Sequence, residues 1–316
     1  MIIALEEHYF DPDWNNALDT RHHAVRTPSP LIKRMEDLGA QRIREMDEAG
    51  IDLQVISHGP PGSQGLREDV AVAWSKSAND RLHAAIQVNP SRFAGFASLP
   101  TAHPLAAADE LERTVNRLGF KGGMLHSLYE GPVLDDKRYW PIFERAAALD
   151  VPLYIHPADP NPAVMKAYYG DYAKSHPMFI RAAWGFTFEA GTQAMRLVLS
   201  GLFDAHPGVK IILGHLGETL PFLVWRIDQA LKRPGQKSLS FRDIFCGNYY
   251  ITTSGNFSNP ALLCCVMEMG IDRILFAIDW PFVPNPPGTR WMETVPLCDE
   301  DKVKLLSGNA QKLFRL

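Results

Sequence analysis

The sequence predicts an α/β fold, a closed (β/α)8 TIM barrel of parallel strands with inserted loops and helices over its C-terminal mouth. Eight short apolar segments of β-strand character alternate with stretches of helical character, which indicates repeated βα units and a parallel sheet. No Gly-x-Gly-x-x-Gly turn follows the first strand, as a doubly wound dinucleotide-binding sheet would require. The 316 residues suit one barrel of about 250 residues with insertions, so we expect residues 1–316 to form a single domain.

The predicted strands and helices follow one another in a regular order. The strands are expected at residues 2–5, 53–57, 93–98, 120–125, 151–155, 209–213, 250–253 and 273–278. The helices are expected at residues 68–86, 105–118, 139–149, 188–202, 219–232 and 259–269, with terminal helices after Pro296. The segments 12–48 and 157–187 are much longer than an ordinary βα connection of about 2 to 6 residues. We expect them to cover an active site or to build a partner interface, and we expect the Pro-rich stretch 281–287 to be a rigid loop at the mouth.

The composition excludes several classes of protein. Apolar residues make up 46% of the chain and charged residues 22%, which is typical of a folded globular protein and not of a disordered one. The longest apolar run, residues 261–267, is far shorter than the about 18 residues of a membrane span. The net charge is −4 and the Lys and Arg residues are scattered, so the sequence predicts neither a nucleic-acid nor a membrane partner.

The cysteines and the first residues predict the compartment. The four cysteines show no C-x-x-C spacing, and Cys264 and Cys265 are adjacent in an apolar run. Buried, unpaired thiols are typical of a reducing compartment. The chain opens at Met1 on an apolar segment that has neither a basic region nor a cleavage site, so we expect a cytoplasmic protein.

Polar side chains directly follow most of the predicted strands. Glu6 and His8 follow the first strand, and Asp279 follows the eighth. The residues that follow the other strands are His58, His126, His156, His215 and Glu218. Because the C-terminal ends of barrel strands share one mouth, we expect these side chains to converge. Buried imidazole and carboxylate groups are costly unless they are paired or bound to a metal, so the pattern predicts a functional site.

Four of these residues form a candidate metal-binding set. Glu6 and His8 are two residues apart on a strand, so both are expected to face the same way while Glu7 points away. Together with His156 and Asp279 they offer two carboxylates and two imidazoles, which suit Zn²⁺, Mn²⁺ or Fe²⁺. The alternatives are a buried ion pair for Glu6, a hydrogen-bonded core histidine for His156 and a turn cap for Asp279.

The other histidines of the predicted mouth have several candidate roles. His215 and Glu218 are three residues apart, so the carboxylate can contact the imidazole and fix its tautomer. His215 is a candidate metal ligand, acid–base group or orienting residue. His58 and His126 are candidate pocket-lining residues, and a catalytic role is equally open for each.

Aromatic residues flank the candidate site. Trp184 and Phe282, with Phe186 and Trp280, are expected to form an aromatic wall around a flat substrate ring. The alternative is ordinary packing between strands and helices. His22 and His23 lie in a polar segment and are expected to be solvated.

Four short motifs carry a resemblance to a known family. They are ALEEH at residues 4–8, YIHP at 154–157, LGHLGE at 213–218 and IDWPF at 278–282, supported by SGLFD at 200–204, WRID at 225–228 and TTSGNF at 252–257. The chain resembles the metal-dependent decarboxylase branch of the amidohydrolase superfamily. That branch includes the γ-resorcylate, 2,3-dihydroxybenzoate and aminocarboxymuconate semialdehyde decarboxylases. The Glu-x-His pair on the first strand, in place of His-x-His, is similar to the benzoate decarboxylases of the branch.

The resemblance implies a site and an activity. It implies one divalent metal ion, Zn²⁺ or Mn²⁺, held by Glu6, His8, His156 and Asp279. It also implies catalytic or substrate-contacting roles for His215, Glu218 and Arg226, and a homodimer or homotetramer. The implied activity is that of a carbon–carbon lyase acting on a small aromatic carboxylic acid in aromatic compound catabolism. His58 and His126 lie where the γ-resorcylate enzymes differ from this chain, so the ring substituents of the substrate stay open.

An ortho-hydroxybenzoate can lose CO₂ without an organic cofactor. Direct loss would leave an aryl carbanion of very high energy, whereas protonation of the ipso carbon first lets the ring accept the electrons. Our hypothesis is that Asp279 donates this proton, while His215 with Glu218 sets its protonation state and Arg226 offsets negative charge.

Three other functions stay open, and the weakest of them is a hydratase of an unsaturated dicarboxylate. A metal-dependent hydrolase of a lactone, ester or amide would use a metal-activated water and Asp279 as the base. The Glu-x-His pair disfavours it, because an additional anionic ligand makes the metal a poorer Lewis acid. A non-catalytic metal-binding protein on the same fold would be expected to lack some of the four ligands.

Overall fold

The computed structural model describes residues 1–21, 26–127, 133–235 and 239–316, so His22 and His23 lie outside the described residues. These parts of the chain contain the strands Ile3–Tyr9 (β1), Leu53–His58 (β2), Phe93–Gly95 (β3), Ala97–Ser98 (β4), Gly123–His126 (β5), Leu153–His156 (β6), Ile211–Leu213 (β7), Tyr249–Thr252 (β8) and Ile274–Leu275 (β9). Neighbouring strands pair in parallel, in the orders β1-β2-β3 and β4-β5-β6-β7-β8-β9.

The two sheets meet at both of their edges. The third predicted strand is divided at Phe96, so that β3 pairs with β2 and β4 pairs with β5. The backbone N–H of Phe96 donates to the Ile56 carbonyl at 2.9 Å and joins the sheets on this side. On the other side, the N–H of Leu5 donates to the Phe276 carbonyl at 3.1 Å, and Leu5 forms a parallel bridge with Ala277. The strand segments thus follow one another around a ring, which agrees with the predicted (β/α)8 architecture.

Helices connect the strands. Their bounds are Trp14–Ala17 (α1), Pro30–Glu36 (α2), Ala40–Ala49 (α3), Glu68–Val88 (α4), Pro104–Leu118 (α5), Trp140–Leu149 (α6), Pro162–Val164 (α7), Pro177–Ile180 (α8), Gly185–Leu199 (α9), Leu202–Ala205 (α10), Leu220–Leu231 (α11), Phe241–Asn248 (α12), Asn259–Met269 (α13), Asn285–Thr294 (α14), Asp299–Val303 (α15) and Asn309–Phe314 (α16). The predicted helices correspond to α4, α5, α6, α9, α11 and α13 to within a few residues. None of the described helices is long and apolar enough to cross a membrane.

The prediction of a loop over residues 281–287 is wrong in its second half. Helix α14 begins at Asn285 and carries Pro286 and Pro287 in its first turn. Proline is compatible with that position, because the first N–H groups of a helix have no intrahelical acceptor and the fixed φ of proline suits a helix. Helix α12, which precedes β8, was also absent from the predicted elements.

The two long inserts lie at the C-terminal end of the strands, as predicted. The first contains α1, α2 and α3, and its Trp14 donates through Nε1 to the Gly62 carbonyl just beyond β2, at 2.9 Å. The second contains α7 and α8, and its residues Ala182 and Ala183 line a cavity that also reaches His215. The inserts therefore form part of the wall around the barrel mouth.

Alternate residues of the strands fill the inside of the barrel. An apolar cluster separate from the main helix–strand core contains Val55, Phe96, Met124, Tyr154, Ile212 and Ala277, and it also contains Phe314 of the terminal helix. Because strand side chains alternate between two faces, residues two positions further on point the same way. Those residues are Ser57, Ser98, His126, His156, Gly214 and Asp279. The strands thus deliver polar groups to the mouth directly above an apolar interior.

Strand β1 departs from regular alternation at the site. Ala4 pairs with Gln54 but Glu7 pairs with Ile56, so β1 holds one additional residue between these pairs, and Glu6 has a φ of 57°. Such a bulge inverts the alternation of the side chains beyond it. Glu6 and His8 therefore face the barrel axis while Glu7 faces away. The predicted orientation of the three side chains is found, but a bulge produces it.

A buried arginine joins the first insert to the barrel. Arg42 of α3 is fully buried, and its guanidinium donates to the carbonyls of His8 and Asp37. It also lies over the ring of Trp280, 3.9 Å from the ring centre, next to Asp279. One side chain thus links α3 to the ends of the first and last barrel strands.

Replacing Arg42 with Met should lower the free energy of unfolding by about 3 kcal/mol, because the carbonyls of His8 and Asp37 would lose a buried, charged donor. The check is calorimetric unfolding in the presence of a chelator, which removes any contribution from metal binding. Arg44→Met on the same helix is the matched control, since Arg44 is exposed, and should change stability by less than about 0.5 kcal/mol. Equal melting temperatures for the two variants would contradict the role given to Arg42.

Candidate active site

The four residues of the predicted metal set lie together at the barrel mouth. One ligand atom from each of Glu6, His8, His156 and Asp279 can be chosen so that all four lie within 4.8 Å of one another. Their elements are far apart in the chain, and the parallel strand ends bring them together. Glu6, His8 and His156 are buried, and Asp279 is partly open to solvent.

The Glu6 carboxylate is oriented by two hydroxyl groups. Its Oε2 accepts hydrogen bonds from the Tyr154 hydroxyl and, at 3.3 Å, from Thr252 Oγ1. Its Oε1 has no hydrogen bond among the described residues and lies 3.2 Å from His156 Nε2. Burial acts to raise the pKa of Glu6, but His215 and the neighbouring imidazoles outweigh it and hold this pKa well below its usual range. The carboxylate is thus an anion with one oxygen available.

The two histidines of the set present nitrogen atoms to the same space. His156 Nδ1 lies 2.6 Å from the Pro157 carbonyl, which can only accept, so Nδ1 carries a proton and the neutral tautomer of the ring has its lone pair on Nε2. Both ring nitrogens of His8 are buried without a hydrogen-bond partner in the described chain, and Nε2 lies 3.3 Å from Asp279 Oδ1. Burial lowers the pKa of His8, which favours the neutral imidazole. Neutral imidazole is the form that binds metal ions.

This arrangement fits a divalent metal ion. Buried polar atoms are normally hydrogen-bonded, and here Glu6 Oε1 and His8 Nε2 are left without partners in the described parts of the chain. Two carboxylates and two imidazoles would balance the charge of a dication and supply the N and O donors that Zn²⁺ and Mn²⁺ accept. The residues therefore form a candidate metal centre.

His215 and Glu218 stand beside this centre as a hydrogen-bonded pair. His215 Nδ1 lies 2.7 Å from Glu218 Oε1, while Nε2 lies 3.7 Å from Glu6 Oε1 and 3.8 Å from Asp279 Oδ2. Burial acts to lower the pKa of His215, but Glu218 and Glu6 outweigh it and raise this pKa well above its usual value. His215 Nε2 thus faces both carboxylates of the metal set.

Several site residues have strained backbone. The φ angles of Glu6, His215, Glu218 and Asp279 are 57°, 50°, 52° and 77°. Such a left-handed conformation costs a residue with a side chain about 1–3 kcal/mol and is concentrated at functional sites. Gly214 permits a close approach here, because a Cβ atom at this position would lie 2.9 Å from Glu6 Oε2.

The structure separates the two histidines that the sequence left ambiguous. His58 lies among aromatic rings on the outer face of β2, its Nδ1 facing the Gly59 carbonyl at 2.9 Å and its Nε2 accepting from the Asp11 N–H at 3.2 Å. Both ring nitrogens are thus used by backbone groups, which favours a structural role for His58. His126 instead faces inward, with its ring 5.2 Å from that of His156.

Of the other residues predicted to bind the substrate, Phe282 lies beside the metal set, whereas Trp184 and Arg226 are exposed. Phe282 lies beside the metal set, with its ring 5.5 Å from that of His8. Trp184 is 48% exposed and packs on Phe188, and Trp280 is buried against Arg42. Arg226 is exposed on α11, with no hydrogen bond or ion pair inside the described regions.

A cavity of about 710 Å³ adjoins the site. Phe186, His215, Leu216 and Phe222 are among its lining residues. Phe186 lines this space while Trp184 does not, so the expected aromatic wall is only partly formed within this chain.

Three site residues were not predicted from the sequence. Tyr154 and Thr252 hold Glu6, and Gln64 contacts His126. Tyr154 lies two residues before His156, so strand periodicity gave a signal that it faces inward. No comparable signal identifies Gln64, because it lies in the turn after β2 and meets His126 across 62 positions of sequence.

The fold and the site together define a class of protein, a parallel α/β barrel with a candidate mononuclear metal centre at its mouth. The family model for amidohydrolases matches residues 18–316 of this chain. The γ-resorcylate decarboxylase of Polaromonas sp. JS666 is 38% identical over 99% of this chain and 98% of its own length.

Two solved structures are similar over nearly all of both chains. A 2,6-dihydroxybenzoate decarboxylase complexed with 2,6-dihydroxybenzoate superposes with a TM-score of 0.89 at 36% identity, covering 100% of this chain and 99% of its own. A dihydroxybenzoic acid decarboxylase from Polaromonas sp. JS666, with bound manganese and the inhibitor 2-nitroresorcinol, gives a TM-score of 0.89 at 37% identity over 100% and 97% of the two chains. The chain belongs to the amidohydrolase family, and its predicted resemblance to the metal-dependent decarboxylases of that superfamily is confirmed.

Proposed function

We propose that this protein is a metal-dependent, non-oxidative decarboxylase of a hydroxybenzoate-type aromatic carboxylic acid. The observation that carries the proposal is the convergence of Glu6, His8, His156 and Asp279 beside the His215–Glu218 pair. The names of its relatives support the same activity. The enzyme is a carbon–carbon lyase, with residues 1–316 as one barrel domain.

The metal ion is Zn²⁺ or Mn²⁺, bound by the four residues of the set. The manganese in a similar structure supports the second choice. A bound ion would hold the carboxylate and ortho oxygen of the substrate and neutralise their charge. No organic cofactor is needed, because the hydroxylated ring itself supplies electrons when the ipso carbon is protonated and recovers an electron pair when CO₂ leaves.

Asp279 delivers the proton in this proposal. The Asp279 carboxyl protonates the ipso carbon while the phenolate oxygen supplies the electrons. The bond between the ring and the carboxylate then breaks, CO₂ leaves, and the electrons of that bond restore the aromatic ring. His215 Nε2, 3.8 Å from Asp279 Oδ2, returns a proton to Asp279, and Glu218 holds the imidazole in place. One proton is consumed for each CO₂ released.

The substrate-binding roles that we propose differ in how well the positions of the residues support them. Phe282 stacks against the substrate ring, since it stands at the mouth beside His8. His126 lines the inner wall. Arg226 and Trp184 are both exposed, and their proposed contact with the substrate rests on the sequence and not on a position beside the metal set. His58 lies on the outer face of β2, where its hydrogen bond with the Asp11 N–H supports the first insert.

The test is a screen of purified, metal-analysed protein against hydroxybenzoates and lactones. We expect CO₂ release from at least one 2-hydroxybenzoate and about one metal ion per chain, as expected for four ligands gathered around one ion. Ring opening of a lactone without CO₂ release would favour the hydrolase instead. Stoichiometric metal without turnover of either class would favour a binding protein.

We further propose a cytoplasmic homodimer or homotetramer. Large aromatic side chains are exposed on α9 and α11, among them Phe222 and Trp225, which are 80% and 70% exposed. Phe222 and Trp225 are three residues apart and so share one face of α11, and an exposed apolar face of this kind is a candidate interaction site. The four free cysteines support a reducing compartment.

Replacing Trp225 with Asp should convert the oligomer to monomer, because a charge in an apolar interface core leaves a desolvated carboxylate without a partner. Light scattering coupled to gel filtration measures the mass. Val88→Asp is the control, since Val88 is 76% exposed and is the last residue of a different helix, α4. A wild-type mass of one chain would contradict the proposed assembly.

A further inference from the structure

The orientation of the Gln64 side chain is determined by its backbone neighbours. Gln64 Nε2 donates to the Leu99 carbonyl at 3.2 Å and to Thr101 Oγ1 at 3.0 Å. Gln64 Oε1 accepts from the backbone N–H of His126 at 3.3 Å. A carbonyl only accepts and an N–H only donates, so exchanging the amide oxygen and nitrogen would break both contacts.

This orientation sets the tautomer of His126. Gln64 Oε1 also lies 3.2 Å from His126 Nδ1. Since Oε1 is an acceptor, Nδ1 must carry the proton, and the neutral imidazole then has its lone pair on Nε2. A hydrogen-bonded amide thus makes Nε2 of His126 an acceptor.

His126 presents that acceptor to the inside of the mouth. It lies two residues after Met124, an interior residue of β5, and it is paired in register with His156 of the metal set. Gly62 closes the other side, because a Cβ atom there would lie 2.5 Å from His126 Nδ1. Nε2 is buried and has no hydrogen-bond partner within the described residues, and it does not belong to the metal set.

A buried acceptor of this kind is satisfied by a donor that arrives with a ligand. Leaving it unpaired is costly, so a ligand that brings an O–H group gains affinity, while one that brings only an acceptor or a methyl group is rejected. Aromatic acids of the proposed class carry such a donor when a second ring hydroxyl, one that does not bind the metal, is present.

We propose that His126 is a specificity-determining residue whose Nε2 accepts a hydrogen bond from a second ring hydroxyl of the substrate. The inference rests on the proposed decarboxylase function and adds the residue of this chain that distinguishes a ring hydroxyl, which keeps its proton, from a methoxy group. The Gln64 side chain is a positioning residue, because it acts by holding the His126 ring in the accepting tautomer.

The test compares four 2-hydroxybenzoates that carry a second hydroxyl at ring position 3, 4, 5 or 6 with their four methoxy counterparts. For at least one of the four ring positions, the kcat/KM of the wild-type protein should be at least about 30-fold higher for the hydroxyl compound than for its methoxy counterpart. Such a preference is expected when a buried acceptor of the site forms a hydrogen bond with a substrate O–H group. His126→Phe should reduce that preference to within about 3-fold, and Gln64→Leu should reduce it in part. His83→Phe is the matched control, since His83 is half-buried on α4 and bonds the Leu118 carbonyl, and it should keep the wild-type ratio.

Each outcome decides the inference. If the hydroxyl-to-methoxy ratio of kcat/KM in the wild-type protein is near one for all four pairs, the inference is wrong. This measurement needs no variant, so the inference can be tested even if His126→Phe does not fold. An unchanged ratio in His126→Phe would also overturn it. Absence of CO₂ release from all eight acids would instead refute the proposed function. In that case, the Kd ratio of each pair on the manganese-loaded protein, measured by calorimetry, would still decide whether Nε2 pairs with a hydroxyl.

Discussion

Replacing Asp279 with Asn should lower kcat for decarboxylation by at least about 10³-fold, within the range expected when a proton-transfer group is lost. Asn has nearly the same shape but no acidic proton to give to the ipso carbon. The backbone should tolerate the change, because the φ of Asp279 is 77° and Asn is among the residues that adopt this region most readily. The amide oxygen can still act as a metal ligand, and Asn replaces a carboxyl group that carries its proton in the proposed mechanism. Unlike the change at Glu6, it therefore removes no negative charge from the ligand set of that state, and most of the metal should remain bound.

Three measurements separate the chemical role of Asp279 from a structural one. Elemental analysis should give a metal content close to that of the wild type, and the melting temperature of the loaded protein should change little. Single-turnover CO₂ release should show the loss in the chemical step. Asp272→Asn is the control, because Asp272 is exposed at the other end of the same strand segment. Turnover near the wild-type rate in Asp279→Asn would remove this residue from the proton transfer.

The positions of the strands were predictable because their apolar runs are short and are separated by helical periodicity. The inward or outward direction of each side chain was not, since both faces of a barrel strand are buried and an apolar run then shows no alternation. His58 and His126 illustrate this. Both directly follow a predicted strand, but Val55 and Met124 face inward, so His126 falls on the inner face and His58 on the outer face.

Glu6 shows that a correct prediction can depend on a feature the sequence does not display. Regular alternation predicted that Glu6 and His8 share a face, without saying which one. Ile3 and Leu5 belong to the inner cluster, so an unbroken strand would have turned Glu7 inward instead. The bulge between Ala4 and Glu7 reverses this. It depends on pairing with β2, some 50 residues further along the chain, and has no local sequence signature.

The residues that surround the ligands depend on contacts between distant segments. Tyr154 and Thr252 reach Glu6 across more than one hundred residues of sequence, and Arg42 reaches the carbonyl of His8 from an insert. The His, Glu and Asp residues that follow the strands could therefore be predicted from the sequence, because such polar residues at the end of an apolar strand indicate a functional site. Tyr154, Thr252 and Arg42, which orient them, could not be predicted, because their contacts depend on how distant segments pack together in the fold.

Replacing Glu6 with Gln should weaken metal binding by at least about 10²-fold, which is the upper range for the loss of a group that merely orients a ligand. Gln preserves the shape and can still accept from Tyr154 and Thr252, but it removes one negative charge from the four ligands. Dialysed protein should then hold little metal and show little CO₂ release. Added Mn²⁺ should raise the melting temperature of the wild type, since it binds the native state, and should leave that of Glu6→Gln almost unchanged.

Glu7→Gln is the matched control, because it makes the same change one residue along the strand. The Glu7 carboxylate accepts from Gln54 and from the Ile278 N–H on the outer side, so this variant should lose stability but keep the manganese-dependent rise in melting temperature. The pair thus tests the bulge as well as the ligand. Metal loss in Glu7→Gln with retention in Glu6→Gln would mean that β1 runs without its bulge in solution. Full metal content in both variants would mean that the ion is held by a different set of residues.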